Sequence, residues 1–212
     1  MTAAEMLSLI DNHGFVDTDE ADKLIALNDA LWDLCSREPW PFLEKSIALT
    51  FDGSSATPTN FPTDFKSALS VVDTQFPRRL YPIRIEDFRS QLGAESSNTG
   101  DPTYYYFLAR SFFVWPVPPS TNTTTVMTYL ARQTALTADS VEADILLPKE
   151  HHVAIIDGAL SRLYFEDDDP EYAADRMQSF EKRLQTMRGE LWKVQYDRAD
   201  TIEVVDEDDL YT

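Results

Sequence analysis

Apolar residues recur along the chain with two different periods. From Met1 to about Cys35 the spacing is helical. Thr2 followed three residues later by Glu5 has capping-box spacing, with Met6, Leu7 and Ile10 behind it, and Asn12-His13-Gly14 closes that short helix. Asp17 and Glu20 repeat the spacing ahead of Ala21, Leu24, Ile25, Asn28, Leu31, Trp32 and Cys35, which predicts a second helix that stops at Pro39 and Pro41.

Through 45–147 the pattern changes. Ile47, Leu49 and Phe51 alternate with polar residues up to Asp52-Gly53, which predicts a strand entering a turn. Most of the 12 prolines lie here, interleaved with aromatics. Tyr104–Ala109 and Ser111–Val117 predict a strand pair, Thr123–Arg132 a further β-branched strand, Glu86 to Leu92 a short helix, and Gly93–Gly100 a polar loop. Short strands with turn signals predict a small antiparallel sheet or half-barrel.

From Pro148, a favourable first residue of a helix, the helical spacing returns, with Val153, Ile156, Ala159, Leu160 and Leu163 on one face. Asp167-Asp168-Asp169-Pro170 breaks the chain, and Asp169 caps the next helix. That helix carries a heptad-like seam of Ala173, Met177, Phe180, Leu184, Met187, Leu191 and Val194, suited either to its own chain or to a coiled coil between chains. The predicted class is α+β: an α-helical bundle of two N-terminal and two C-terminal helices, interrupted by a β-rich insertion. The expected parts are N-terminal helices over 1–44, the insertion over 45–147, a C-terminal helical hairpin over 148–197, and an extended acidic and apolar tail over 198–212.

Charge narrows the function. The chain has 212 residues, with 18 Lys and Arg against 37 Asp and Glu, a formal net charge of −19. That balance excludes a face built to grip nucleic-acid phosphates and disfavours anionic membranes. The single cysteine, Cys35, excludes an internal disulfide framework and any multi-cysteine metal site. The N-terminus shows no signal-peptide pattern, and no run approaches the ~20 apolar residues of a membrane helix. A soluble protein made in a cytoplasm is expected.

The sequence shows no strong catalytic or cofactor motif. Its 6 glycines form neither a phosphate-binding nor a dinucleotide-binding loop, and Gly53-Ser54-Ser55 lacks the second glycine of a nucleophile elbow. His151 and His152 are adjacent, so on a helix they diverge by roughly 100° and do not share a metal; one is expected partly packed and one solvated. Cys35, near Asp33 and Glu38, reads as a buried small hydrophobe. Asp167-Asp168-Asp169 and Asp206-Glu207-Asp208-Asp209 lack calcium-loop spacing and read as helix capping and a solvated tail. No cofactor, no metal and no enzyme activity are expected. The aromatic stretch Tyr104-Tyr105-Tyr106 with Phe112, Phe113 and Trp115 suits a sheet core or a subunit interface, with a stacking platform as the alternative.

Several short patterns, in order, resemble a known family. They are Trp40-Pro41-Phe42, Phe61-Pro62-Thr63-Asp64-Phe65, Gly100-Asp101-Pro102-Thr103-Tyr104, Trp115-Pro116-Val117-Pro118 and Asp144-Ile145-Leu146-Leu147-Pro148. Phe61 stands where the family pattern has leucine, and Asp144–Pro148 lacks the pattern's first proline. Over about residues 1 to 195 the chain resembles the head-to-tail adaptor, or connector, proteins of tailed double-stranded DNA bacteriophages and related gene-transfer particles.

The resemblance implies a structural virion protein of the neck, between capsid and tail, assembled in the host cytoplasm. It implies a homo-oligomeric ring, usually a dodecamer, below the portal protein, with a tail or stopper/tail-terminator protein as a further partner. DNA would pass through the channel without sequence-specific binding. The C-terminal segment would dock on the portal through Ile202, Val204, Val205, Leu210 and Tyr211. An acidic channel wall fits DNA that must slide, since like charge prevents adhesion. Arg78, Arg79, Arg84 and Arg89, with Tyr105, Phe113 and Trp115, are the expected inter-subunit residues, the arginines supplying counter-charge. The alternatives are a soluble binding module whose aromatic insertion holds a sugar or a peptide, and an enzyme using a carboxylate pair.

Overall fold

The structure is a computed structural model that describes residues 1–74, 78–91, 98–108, 111–119 and 121–199. It has the mixed α+β class expected, as two compact units: Met1–Phe42 together with the chain from Gln133 onward, and Leu43–Arg132.

The helical unit begins with α1 (Ala3–Ile10), whose capping box forms as the sequence dictates. The Glu5 N–H donates to Thr2 Oγ1 at 3.2 Å, and the Thr2 N–H donates to Glu5 Oε2 at 2.8 Å. A wide turn over Asp11–Phe15 follows, with Gly14 at φ 104°, a conformation that disfavours any side chain. Helix α2 (Glu20–Arg37) is capped by Asp19, whose carboxylate accepts from the Ala21 N–H, and not by Asp17. The reason is local: the chain is still turning at Val16, where φ/ψ remain helical, and becomes extended only at Asp19.

Helix α4 (His152–Glu166) and helix α5 (Pro170–Ala199) form the expected hairpin, and α4 packs on α2 as well. At about 1.5 Å per residue the 30 residues of α5 span ~45 Å. Ala173, Phe180, Leu184 and Met187 of its seam are buried, while Met177 faces out. Three helices meet at Gly158: a Cβ there would lie 2.9 Å from the Ala30 Cβ of α2 and 3.3 Å from the Phe180 ring of α5. At the preceding position, Asp157 is buried and paired with Arg176 Nη1 at 3.2 Å and Arg183 Nε at 2.6 Å.

Residues 133–147, read from the sequence as the end of the insertion, pack in the helical unit. Two buried amides hold them. Asn28 donates to the Leu136 carbonyl at 3.0 Å and accepts from its N–H at 2.6 Å. Gln133 donates to the Asp144 carbonyl and accepts from the Leu146 N–H. Leu136, Ile145 and Leu147 are buried with them.

The second unit holds β1 (Glu44–Phe51), β2 (Phe65–Asp73), β3 (Arg78–Arg79), β4 (Tyr81–Pro82), α3 (Ile85–Gln91), β5 (Tyr104–Leu108), β6 (Ser111–Trp115) and β7 (Asn122–Ala131). One antiparallel sheet has the order β1-β7-β2-β3, and a second has the order β4-β5-β6 with β4 parallel to β5. The C-terminal strand β7 thus lies between β1 and β2, with Val126 opposite both Ala48 and Val72.

At one end of this sheet Asp64 ties three segments together. Its carboxylate meets Lys45 Nζ at 2.7 Å and accepts from the Tyr129 hydroxyl at 2.9 Å, and its carbonyl accepts from the Arg132 N–H. Burial opposes the charge on Asp64, but the Lys45 and Tyr129 bonds and the Lys45 charge outweigh it and hold the carboxyl below its ordinary value of 3.8. Burial, with the bond to Asp64, pushes the Tyr129 hydroxyl from 10.0 up to about 12. The signs of the two effects differ. The carboxylate's contribution is present above the unfolded value near 3.8 and is lost as pH falls through the folded one. The phenol's contribution is present below 10.0 and is lost as pH rises toward about 12. Thermal melts across pH should therefore show acid and alkaline losses that both shrink in Asp64→Asn. Unchanged pH profiles in that variant would contradict the assignment.

Candidate functional site

Charge is divided unequally between the two units. The helical unit carries 29 acids against 10 Lys and Arg; the unit Leu43–Arg132 carries eight of each. The whole net charge of −19 therefore resides in the helical unit, and the β unit is formally neutral.

The alternation of strands β5 and β6 sorts their aromatics onto two faces. On one face Tyr106 stacks on Phe113 at 5.1 Å, Phe88 of α3 covers Tyr106 at 4.7 Å, and Trp115 stands 6.1 Å from Phe88. On the other, Tyr105 stacks on Phe112 at 5.6 Å, Phe112 on Phe61 at 5.8 Å, and Phe65 on Phe107 at 5.2 Å. Of the expected interface aromatics, Phe113 and Trp115 are half-buried on the first face. Tyr105 is only 7% exposed, on the second. Burial pushes the Tyr105 and Tyr106 hydroxyls up, while the nearby positive charges of Arg79 and Arg89 pull them back.

The second face borders a cleft of about 790 Å³, within the usual range of ligand sites. Phe61, Phe65, Ala68, Ile83 and Phe107 give it apolar walls, and the exposed Lys66 and Arg132 stand at its rim.

The four expected arginines lie on and around β3, β4 and α3. Arg84 and Arg89 are exposed. Arg78 approaches Asp101 at 3.9 Å, and its Nε and Nη2 atoms are shielded from solvent with no hydrogen-bond acceptor among the described residues. The Trp115 Nε1 donor is in the same condition.

The helical unit has exposed apolar residues at positions whose helical spacing left their partner open. Ile25 is 59% exposed, Trp32 46% and Met177 42%. Phe165, whose position in the sequence carries no distinguishing signal, is 71% exposed. Ile25, Asp29 and Trp32 share one side of α2, where Asp29 pairs with Arg162 of α4. A groove of about 380 Å³ between α4 and α5 continues from Arg162 past Phe165 to Met177. The signal available in the sequence was the charged Asp29 inside that stripe.

The remaining expected residues carry no site. Cys35 is buried. His152 is wholly buried and His151 nearly so, so neither is solvated as expected. The His152 Nε2–H donates to the Leu147 carbonyl at 2.8 Å, which leaves Nδ1 as the acceptor 3.2 Å from the Met1 amine; burial lowers its pKa below 6.5. Asp169 caps α5, and no group of three or more metal-ligating side chains occurs among the described residues. Ile202, Val204, Val205, Leu210 and Tyr211 lie outside the described residues. No helix among the described residues is long and apolar enough to cross a membrane.

Compared with known families, residues 1–205 match the model described as SU10 adaptor protein. No curated protein matches the chain.

Proposed function

Because the chain belongs to the SU10 adaptor protein family, we propose that it is a non-enzymatic head-to-tail adaptor of a tailed phage. Copies assemble as a ring, usually a dodecamer in such adaptors, below the portal. The ring continues the DNA channel and offers a docking surface to the tail-side protein. The C-terminal segment reaches the portal.

The observation that supports this reading best is the division of charge. A β unit with as many Lys and Arg as acids meets a neighbour's helical unit, which holds the whole −19, with less repulsion than a second acidic unit would. Head-to-tail contact between such units closes a ring, whereas contact between two identical acidic units would repel. The acidic helices also suit a channel wall past which DNA slides.

The interface proposal places Arg78, Arg79, Arg84 and Arg89 against a neighbour's acids, with Phe113 and Trp115 beside them and Tyr105 supporting their sheet from beneath. Replacing all four arginines by glutamine should move the assembled species to smaller sizes in sedimentation velocity, without lowering the thermal midpoint of the monomer. Rings of unchanged size would remove the arginines from the interface.

The cleft favours a second reading, a peptide-holding module. Its walls offer few fixed polar groups in the positions a sugar needs, so a sugar is the weaker ligand.

A further inference from the structure

Strand edges expose unpaired N–H and C=O groups, and folded proteins cover them. The unit Leu43–Arg132 covers two of its edges from within. On β1, Asn60 donates to the Ala48 carbonyl at 2.8 Å and accepts from the Thr50 N–H at 2.7 Å. On β6, the Val114 N–H donates to the Ala56 carbonyl.

Two edges of the same unit stay open. Strand β3 pairs with β2 at Val72 and Asp73, the Leu80 N–H takes the Val71 carbonyl, and Arg79 Nη2 reaches the Leu69 carbonyl at 3.5 Å. Beyond that point residues 65–68 of β2 face no strand on this side among the described residues. Strand β4 pairs with Tyr104 and Tyr105, and the Ile83 N–H takes the Tyr105 carbonyl. Two residues on, Phe107 turns its own N–H and C=O to that edge, where no strand meets it among the described residues. Side chains alternate between the faces of a strand, so a cleft lined by consecutive residues meets the strand edge-on. The cleft of about 790 Å³ is lined by residues 65–68 of β2 and 105–107 of β5, all within this unit.

We propose that this cleft binds an extended acidic segment of a partner protein as a strand added to β2. Strand addition lets main-chain hydrogen bonds carry affinity and leaves specificity to alternate side chains. Strand β2 is the edge chosen because it offers four open residues, against the single Phe107 on β5. Among the described residues, the exposed large apolar side chains of the unit are Leu69, Tyr81, Phe107 and Leu108, and each stands on β2, β4 or β5. Alternate residues of the partner segment are therefore apolar. The lining holds Lys66 and Arg132 and neither Asp nor Glu, in a chain of net charge −19, so the residues between them are acidic. The inference rests on the peptide-holding reading of the cleft and adds to it the binding mode and the charge of the ligand.

The test titrates the full-length protein with fluorescein-labelled octapeptides: alternating Glu and Val, alternating Lys and Val, and two Glu–Val versions N-methylated at every Val or at every Glu. The Glu–Val peptide should bind about tenfold or more tighter than the Lys–Val peptide. At least one methylated version should lose about tenfold or more in affinity, because it lacks the N–H groups of the pairing edge. Saturation with the Glu–Val peptide should slow exchange of the open-edge amides within 66–68 by about tenfold or more, with α4 unchanged. Lys66→Glu with Arg132→Glu, at an unchanged thermal midpoint, should reverse the preference between the Glu–Val and Lys–Val peptides. Equal binding of those two, or full affinity in both methylated versions, overturns the proposal and leaves the peptide-holding reading standing. Binding by none of the peptides overturns both. Protection at 66–68 that grows with protein concentration, without peptide, gives the cleft to a second copy of the chain and overturns the proposal.

Discussion

Valine in place of Gly158 is expected to destabilise the helical unit more than any other single substitution considered. The position is crowded from two sides, because a Cβ would sit 2.9 Å from the Ala30 Cβ and 3.3 Å from the Phe180 ring. Phe180 is among the largest fully buried side chains, so neither neighbour yields cheaply. Overpacking of this kind costs roughly 1–3 kcal/mol and occasionally more, and valine at a three-helix contact belongs at the upper end. At ~2–4 °C per kcal/mol for a chain of this size, the melt should fall by roughly 6–12 °C. Gly158→Ala is the informative companion. Alanine gains about 1 kcal/mol of helix propensity over glycine, which offsets part of the clash. Ala30→Gly should recover stability when combined with Gly158→Ala, and the two effects should be non-additive. Additive losses would mean that α2 and α4 do not meet here.

The second large effect is expected from removing both partners of Asp157. The carboxylate is only 4% exposed and meets Arg176 and Arg183. The arginines are 27% and 50% exposed, so their own loss matters little beside the charge they leave behind. Removing the partners of a buried ion costs on the order of 3–5 kcal/mol; partial exposure of the arginines places Arg176→Ala with Arg183→Ala near the lower figure. Adding Asp157→Leu to that pair should return part of the stability, since an apolar side chain of the same branched shape needs no partner. A triple variant no more stable than the double would show that the buried charge is not the cause.

Much of the helical unit was legible because caps and heptads are local. Thr2 and Glu5 lie three residues apart and form the box they predict, and four seam residues of α5 are buried. What escaped was long-range. Strand β7 enters between β1 and β2, and alternation along one strand says nothing about its neighbours in the sheet. Residues 133–147 lack periodicity, so their attachment through Asn28 and Gln133 was invisible; a polar residue on an otherwise apolar helical face was the one hint. Ile25, Trp32 and Met177 obey helical spacing but face outward, because spacing gives a stripe and not its partner. The aromatic content of the insertion was plain in the sequence. The cleft was not, since it depends on which strand edges stay open.

The proposed ring at a portal vertex is tested by co-sedimenting the protein with particles from its source and averaging electron micrographs of a single vertex. A ring directly below the portal is the expected result. A monomer absent from every particle would contradict it, and would leave the aromatic cleft as the place to look for function.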